Sequence, residues 1–225
     1  MGVLTGKKAP VFKAAAVVNG GEIAEDFSLE QYLGKKHVLF FFYPADFSQL
    51  CPAEIIAFQR RMADFESRNT AVVACSTDSR HAHWAWLHTP QNEGGIQGVE
   101  FPLVSDINKT ISQQYGVLAG RYETDDEGRR IWIGDNGEDA IPYRALFLID
   151  KQGVVRHQVV NDMPLSRSIR ETLRMVDALQ YFETRGEVCP VDWSRDIEGE
   201  FSLGVVVRGC GGGGVGWRGG SSRGI

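Results

Sequence analysis

The sequence predicts an α/β fold in which helices cover both faces of a sheet. Residues 38–43 and 71–76 are almost wholly apolar, which is typical of strands buried on both faces in a parallel sheet. Each of these runs is followed by a segment predicted to be helical. Two further strands and a long amphipathic helix, residues 165–182, complete the alternating order of strands and helices that is typical of an α/β protein.

Composition and charge exclude several classes of protein. The chain has 225 residues, 43% hydrophobic and 24% charged, so it is globular and suits one large domain or a domain with an arm. Its net charge of -5 lacks the basic bias of nucleic-acid-binding proteins. The longest apolar run, residues 38–43, is far shorter than the roughly 20 residues of a membrane span, and the N-terminus lacks the apolar core of a signal peptide. We expect a cytoplasmic protein that binds neither nucleic acid nor a membrane.

The first half of the chain is predicted to alternate between extended and helical segments. Residues 7–20 form a short extended start, and a helix is expected from about Ser48, because Pro52 is tolerated in a first turn. The remaining elements follow in chain order: strand 38–43, strand 71–76, a short helix 81–87, and a helix 106–115 with Asp106 as a candidate cap.

The second half contains a polar segment, a strand pair and the last helix. Residues 119–142 are rich in turn-forming residues, and the sequence RRIWI followed by GDNG at 134–137 predicts a small hairpin. Residues 143–150 and 154–160 are predicted strands, joined by the turn sequence DKQG.

We expect three parts along the chain. Residues 1–164 form the main domain, and residues 165–200 form a helix and an arm that carries a cysteine. Residues 201–225 are a glycine-rich tail that is predicted to be disordered.

The four cysteines, Cys51, Cys75, Cys189 and Cys210, are too few for a disulfide scaffold, and no CxxC motif is present for zinc or dithiol chemistry. Cys51 falls in the first turn of a predicted helix, where unpaired backbone N–H groups favour a negative charge. The thiolate is the nucleophilic form of cysteine, so this position suits a reactive thiol. The alternative is a structural cysteine packed in the core.

Arg144 interrupts an apolar strand and is the candidate cation for that thiol. Side-chain alternation places it on the same face as Leu146, and arginine is rarely buried without a partner. Glu54, one helical turn after the cysteine, is a candidate partner, and Arg167 is a second candidate cation for Glu54. Either pairing would hold a positive charge near the thiol. The alternative is an edge-strand arginine that reaches solvent.

A loop motif connects these residues with a known family. Residues 44–55, PADFSQLCPAEI, contain Pro44, Ser48 and Cys51 in the pattern Pro-x3-Thr/Ser-x2-Cys, and this segment resembles the peroxidatic loop of the peroxiredoxins. The chain is similar to the typical two-cysteine group, which includes thioredoxin peroxidases and the peroxidase component of bacterial alkyl hydroperoxide reductase. The similarity runs in order from residue 7 to residue 193, through the segments GKKAPVF, ACSTDSRHAHWAW, SQQYGVL, YRALFLID, VNDMPLSRS and GEVCP.

The resemblance implies a thioredoxin-like fold, with a central mixed sheet flanked by helices and a C-terminal arm. It also implies a thiol-dependent peroxidase that reduces hydrogen peroxide and organic hydroperoxides. The Cys51 thiolate would attack a peroxide oxygen and become a sulfenic acid. By the same resemblance, Ser48, the Cys51 amide and Arg144 stabilise the peroxide oxygens, and Pro44 shields the site.

Cys189, in the segment GEVCP, resembles the resolving cysteine of the group. The resemblance implies an intersubunit disulfide between Cys51 and the Cys189 of a partner subunit, which a thioredoxin-like reductant then reduces. It implies a homodimer or a ring of five dimers, with neither a cofactor nor a metal. A spare thiol on a loop is the alternative for Cys189. The alternative function is an oligomeric holdase chaperone or a peroxide-sensing redox relay.

Other conspicuous residues receive weaker assignments. Cys75 is expected in the core, and Cys210 has no counterpart in the family. His81, His83 and His88 surround two tryptophans, but no carboxylate or cysteine completes a metal-ligand set, so a packing role is expected for them. In relatives, this segment lines the contact between dimers.

Overall fold

The computed structural model describes residues 2–134 and 140–195. The described residues form two compact units, which divide between Val176 and Asp177. The predicted tail, including Cys210, lies outside the described residues. Among the helices of the described part, none is long and apolar enough to cross a membrane.

The strands account for most of the first unit. In chain order they are β1 (Ala14–Val18), β2 (Glu22–Phe27), β3 (His37–Phe42), β4 (Thr70–Ser76), β5 (Leu103–Ser105), β6 (Arg121–Thr124), β7 (Arg130–Ile133), β8 (Arg144–Ile149) and β9 (Val155–Asn161).

Seven of these strands form one mixed sheet in the order β2-β1-β5-β4-β3-β8-β9, and β6 and β7 form a separate hairpin. β3 pairs in parallel with β4, and β4 with β5, whereas β8 is antiparallel to both β3 and β9. β3 and β8 therefore occupy interior positions. Both are buried along their whole length, as their apolar sequences predict.

Five α-helices accompany the sheet: α1 (Cys51–Gln59), α2 (Met62–Ser67), α3 (Arg80–His88), α4 (Thr110–Gln114) and α5 (Ile169–Arg185), with short 3₁₀ helices at Leu29–Tyr32 and Gln91–Glu93. The helix predicted from about Ser48 begins only at Cys51. It also ends at Gln59, because Arg61 leaves the helical region with φ of -110° and ψ of 13°, and the chain restarts as α2.

α4 and α5 begin later than predicted, each for a local reason. The carboxylate of Asp106 accepts hydrogen bonds from the backbone amides of Ile111 at 2.9 Å and Ser112 at 2.7 Å, so it caps α4 from a preceding turn. The hydroxyl of Ser168 accepts a hydrogen bond from the amide of Glu171 at 3.2 Å, which fixes the start of α5.

The polar insertion contains the hairpin of β6 and β7, and residues 135–139, which include most of GDNG, lie outside the described residues. The turn lies between β6 and β7, where the carboxylate of Asp125 accepts from the amides of Glu127 at 3.0 Å and Arg129 at 2.8 Å. At the base of the hairpin Gly120 has φ of +126°, and a Cβ there would lie 2.2 Å from the carbonyl oxygen of Ile133. Only glycine fits at this position.

The core is split between the two faces of the sheet. Leu39 and Phe41 of β3 pack with apolar residues of α1, α2, α3 and α5, whereas Phe40 and Phe42 pack with α4 and the first 3₁₀ helix. The alternation along β3 thus confirms the predicted α/β sheet with helices on both faces. Residues 43–50 connect the end of β3 to the start of α1.

Candidate active site

Cys51 is the first residue of α1 and follows the loop that leaves β3. Its side chain is completely buried, with 0% exposure. Within the described residues no side chain caps the N-terminus of α1, and Pro52 contributes no N–H group there. Cys51 therefore lies at the positive end of a nine-residue helix, whose first turn also contains Glu54.

Arg144 is the first residue of β8 and lies beside that sulfur. Its Nη1 is 3.4 Å from Sγ of Cys51 and donates to Oε2 of Glu54 at 2.5 Å. Its Nε donates to the backbone carbonyl of Met163 at 2.5 Å. Arg144 is 4% exposed and belongs to an interior strand, so the alternative of an edge-strand arginine that reaches solvent is wrong.

Glu54 lies between two guanidinium groups, and both predicted pairings are present. Nη2 of Arg167 donates to Oε2 at 3.0 Å and Nε to Oε1 at 3.2 Å, while Arg144 approaches Oε2. Burial raises the pKa of Glu54, but the charges and hydrogen bonds of Arg167, helped by Arg144, outweigh burial and hold it below its ordinary value. Arg167 also donates to the carbonyls of Phe42 at 2.6 Å and Ala145 at 2.9 Å, which ties the pair to β3 and β8.

Ser48 and Pro44 lie in the loop before α1. The Oγ atom of Ser48 is buried and, within the described residues, has no hydrogen-bond partner. Such an atom is energetically unfavourable unless a ligand or water meets it. Pro44 is buried, and the intervening Phe47 has φ of 55°, in the left-handed region that non-glycine residues rarely adopt.

Asp46 anchors this loop through a contact that the sequence did not reveal. Its carboxylate accepts from the hydroxyl of Tyr43 at 2.8 Å and lies 2.8 Å from Nδ1 of His83 on α3. Nε2 of His83 lies 3.2 Å from the carbonyl of Val104. Burial is the main reason that the pKa of Asp46 is raised. Asp46 and His83 are 37 residues apart, so no local pattern could have linked them.

Of the histidine and tryptophan residues in α3, only His83 and Trp86 pack inside the chain, whereas His81, Trp84 and His88 are exposed. His83 and Trp86 are both fully buried, and Nε1 of Trp86 donates to the carbonyl of Gly94 at 2.9 Å. The expected packing role of His83 is confirmed within the chain, whereas a contact of this segment between dimers stays a prediction. Among the described residues, no group of three histidine, cysteine or acidic side chains could hold a metal ion.

The other cysteines have different surroundings. Cys75, on β4, is completely buried, as predicted, and burial, reinforced by the charge of Asp106, raises its pKa well above the ordinary value. Cys189 follows α5, is half-buried, and its Sγ donates to the carbonyl of Ala178 at 3.5 Å. Cys51, Cys75 and Cys189 are all present as thiols.

These contacts suit a nucleophilic sulfur in a fully buried position. A guanidinium at 3.4 Å stabilises a thiolate by a charge-assisted contact, and an uncapped helix start adds to that field. The hydroxyl of Ser48, which has no partner within the described residues, and the guanidinium of Arg144 are both hydrogen-bond donors.

Comparison with known proteins agrees with this geometry. Residues 5–158 match the AhpC/TSA family. The chain belongs to the AhpC/TSA family. Within that family it is 46% identical over 197 residues to alkyl hydroperoxide reductase C of Helicobacter pylori, a match that covers 88% of this chain and 90% of the relative. It is 44% identical over 193 residues to the thioredoxin peroxidase of Echinococcus granulosus, covering 86% and 90% of the two chains.

A solved structure of a relative establishes the fold of this AhpC/TSA family member. The reduced 2-Cys peroxiredoxin of Plasmodium vivax superimposes with a TM-score of 0.74 at 40% identity, over 86% of this chain and 90% of that one. The mixed sheet with flanking helices is therefore the thioredoxin-like fold that the resemblance implied, and the chain is a peroxiredoxin.

Proposed function

We propose that this peroxiredoxin is a thiol-dependent peroxidase that reduces hydrogen peroxide and organic hydroperoxides at Cys51. The observation that carries the proposal is the contact of 3.4 Å between Arg144 Nη1 and Cys51 Sγ in a fully buried site. The names of the relatives, alkyl hydroperoxide reductase and thioredoxin peroxidase, support the same reaction.

The first step is an attack of the Cys51 thiolate on one peroxide oxygen. The S–O bond forms as the O–O bond breaks, the sulfur is oxidised to a sulfenic acid, and the second oxygen leaves as water or an alcohol after it takes up a proton. Negative charge grows on the leaving oxygen, so donors directed at it stabilise the transition state more than the ground state. Arg144, the hydroxyl of Ser48 and the amide of Cys51 supply those donors, and Pro44 keeps water out.

The second step is resolution by Cys189. The thiol of Cys189 in a partner subunit attacks the sulfenic acid, water leaves, and an intersubunit disulfide with Cys51 results. Because Cys51 is fully buried, the first turn of α1 must unwind before the two sulfurs reach bonding distance. A thioredoxin-like reductant then restores both thiols by exchange.

This cycle needs a particular assembly and compartment. An intersubunit disulfide requires at least a homodimer, and a ring of five dimers is the larger assembly that we propose. A reductant of the thioredoxin type places the protein in a reducing compartment, for which we propose the cytoplasm. The names of the relatives favour the peroxidase over the holdase chaperone or redox relay.

Non-reducing electrophoresis after one equivalent of hydrogen peroxide tests the two-cysteine cycle. Wild type should give a covalent dimer that dithiothreitol reduces to monomer, whereas Cys51→Ser and Cys189→Ser should each remain monomeric on the gel. Steady-state peroxide consumption with thioredoxin should likewise vanish in Cys51→Ser. Equal consumption by wild type and Cys51→Ser would refute the peroxidase assignment.

A further inference from the structure

The loop between β9 and α5 contacts both Arg144 and Glu54. β9 ends at Asn161, which is the direct cross-strand partner of Arg144 in the antiparallel pair of β8 and β9. The chain therefore leaves the sheet at the register position of Arg144, whose guanidinium lies beside the Cys51 sulfur. It then turns back, so that the carbonyl of Met163 accepts from Nε of Arg144 at 2.5 Å.

A set of hydrogen bonds closes this loop, residues 162–167. Nδ2 of Asn161 donates to the carbonyl of Ser166 at 3.0 Å, which spans the loop from one end to the other. Inside it, the amide of Leu165 donates to the carbonyl of Asp162 at 3.0 Å. The carboxylate of Asp162 accepts from the amide of Met163 at 2.8 Å. The Met163 carbonyl that binds Arg144 thus belongs to a turn that hydrogen bonds hold both across the loop and within it.

The same loop ends at the second guanidinium of the site. The backbone amide of Arg167 donates to Oε1 of Glu54 at 3.1 Å, and the Arg167 side chain donates to both oxygens of that carboxylate. The loop therefore contacts both Arg144 and Glu54. It provides the Met163 carbonyl that binds Arg144, and its Arg167 holds the Glu54 carboxylate that also binds Arg144. The guanidinium group is planar and rigid, so a hydrogen bond that fixes the direction of the Nε–H group also fixes the directions of the other N–H groups.

We propose that Asn161 is a positioning residue for peroxide reduction. It closes the loop so that the Met163 carbonyl holds Nε of Arg144 and leaves Nη1 directed at Cys51. The residue touches neither the sulfur nor the substrate. Its effect passes through the orientation of Arg144, and it rests on the peroxidase function proposed above.

Asn161→Asp tests this role, because it keeps the size of the side chain and replaces the donor with an acceptor that faces the carbonyl of Ser166. The rate constant for oxidation of Cys51 by hydrogen peroxide, measured by competition with a reference peroxidase, should fall about tenfold. Asn69→Asp is the matched control, since Nδ2 of Asn69 also donates to a backbone carbonyl, that of Lys35 at 2.8 Å, in a turn away from the site. It should change the rate less than about twofold.

A double-mutant cycle separates positioning from general loss of structure. Lysine has no Nε–H for the Met163 carbonyl to hold, so in an Arg144→Lys background Asn161→Asp should lower the rate further by less than about twofold. A structural defect would lower the rate equally in both backgrounds. Asn161→Ala, which adds no charge, repeats the cycle if the aspartate variant fails to fold.

Each outcome decides a separate question. A wild-type protein that does not react with peroxide would contradict the proposed function. A reactive wild type with an unaffected Asn161→Asp variant, or equal losses in the two backgrounds, would overturn only the role of Asn161. Faster hydrogen exchange at the Nε–H of Arg144 in Asn161→Asp, seen by ¹⁵N NMR, would support that role without any measurement of activity.

Discussion

Cys51 and Cys75 are equally buried and yet have opposite electrostatic surroundings. Each side chain is 0% exposed. Cys51 starts a helix and has a guanidinium at 3.4 Å from its sulfur. Cys75 is at an interior position of the sheet, on β4, and burial, reinforced by the charge of Asp106, raises its pKa well above the ordinary value.

This difference shows that burial alone does not determine whether a cysteine is inert. A cation and a helix start beside a buried sulfur favour the thiolate, whereas a carboxylate beside it disfavours the thiolate. The carboxylate near Cys51, Glu54, does not act in the same way because two arginines neutralise it.

The largest effect on peroxide consumption should come from replacing the cysteines themselves. Cys51→Ser should reduce the rate of peroxide consumption by at least about a thousandfold, because the nucleophile is lost. Cys75→Ala should change that rate less than about twofold, since the thiol of Cys75 stays protonated at neutral pH. Peroxide consumption with saturating reductant measures both variants. Comparable losses in the two would refute the division of roles.

Glu54 is the buried carboxylate next to Cys51 that the two arginines neutralise. Glu54→Gln should lower the free energy of unfolding at pH 7 by about 3 to 5 kcal/mol, because it leaves two buried guanidinium groups without their counter-charge. Its folded pKa lies below the ordinary 4.5, so its contribution is present above pH 4.5 and is lost as the pH falls through the lower folded value.

Urea unfolding of wild type and Glu54→Gln between pH 3 and pH 7 measures that linkage. The difference in unfolding free energy should be largest at neutral pH and should shrink below pH 4.5. Glu171→Gln is the control, since its carboxylate pairs with Arg174 at the surface, where an ion pair contributes little. A difference between wild type and Glu54→Gln that does not change with pH would contradict the assigned linkage.

Arg144→Lys should lower the rate constant for oxidation of Cys51 by about a hundredfold. Lysine retains a positive charge but lacks the planar fork that reaches Cys51, Glu54 and Met163 together. Stopped-flow oxidation by hydrogen peroxide, with the unfolding free energy measured in parallel, distinguishes a catalytic defect from a folding defect. A variant as fast as wild type would show that charge alone distinguishes Cys51 from Cys75.

Ser48→Ala should have the smallest effect, a loss of about tenfold in the same rate constant. Its stability should not fall, because the hydroxyl of Ser48 makes no hydrogen bond within the described residues. Ser48→Thr restores the hydroxyl and should recover most of the rate. If Ser48→Ala is destabilised but reacts at the wild-type rate, the hydroxyl has a structural role and not a catalytic one.

The sequence alone predicted the sheet and the placement of Cys51 in the first turn of a helix because both depend on local patterns. The apolar run of β3 and the helical spacing after Cys51 are visible without any long-range contact. The pairing of Arg144 with Glu54 followed from the rule that a buried arginine needs a partner.

The parts that were missed depend mostly on long-range contacts. Asp125, whose carboxylate closes the turn of the β6–β7 hairpin, could not be singled out within the turn-rich insertion. The role of Asn161 follows from its register opposite Arg144, and the contact between Asp46 and His83 follows from the docking of α3. Register and docking are properties of the assembled sheet.

The break between α1 and α2 limits how far a local opening of the chain can spread. α1 has nine residues, about 2.5 turns, and the helical hydrogen-bond pattern is interrupted at Arg61. Melting that starts at Cys51 therefore ends within a short cooperative unit, while Phe65 of α2 stays packed in the core. The free energy of exposing the sulfur is therefore set by the contacts that α1 itself makes, which include the ion pairs of Glu54 with Arg144 and Arg167.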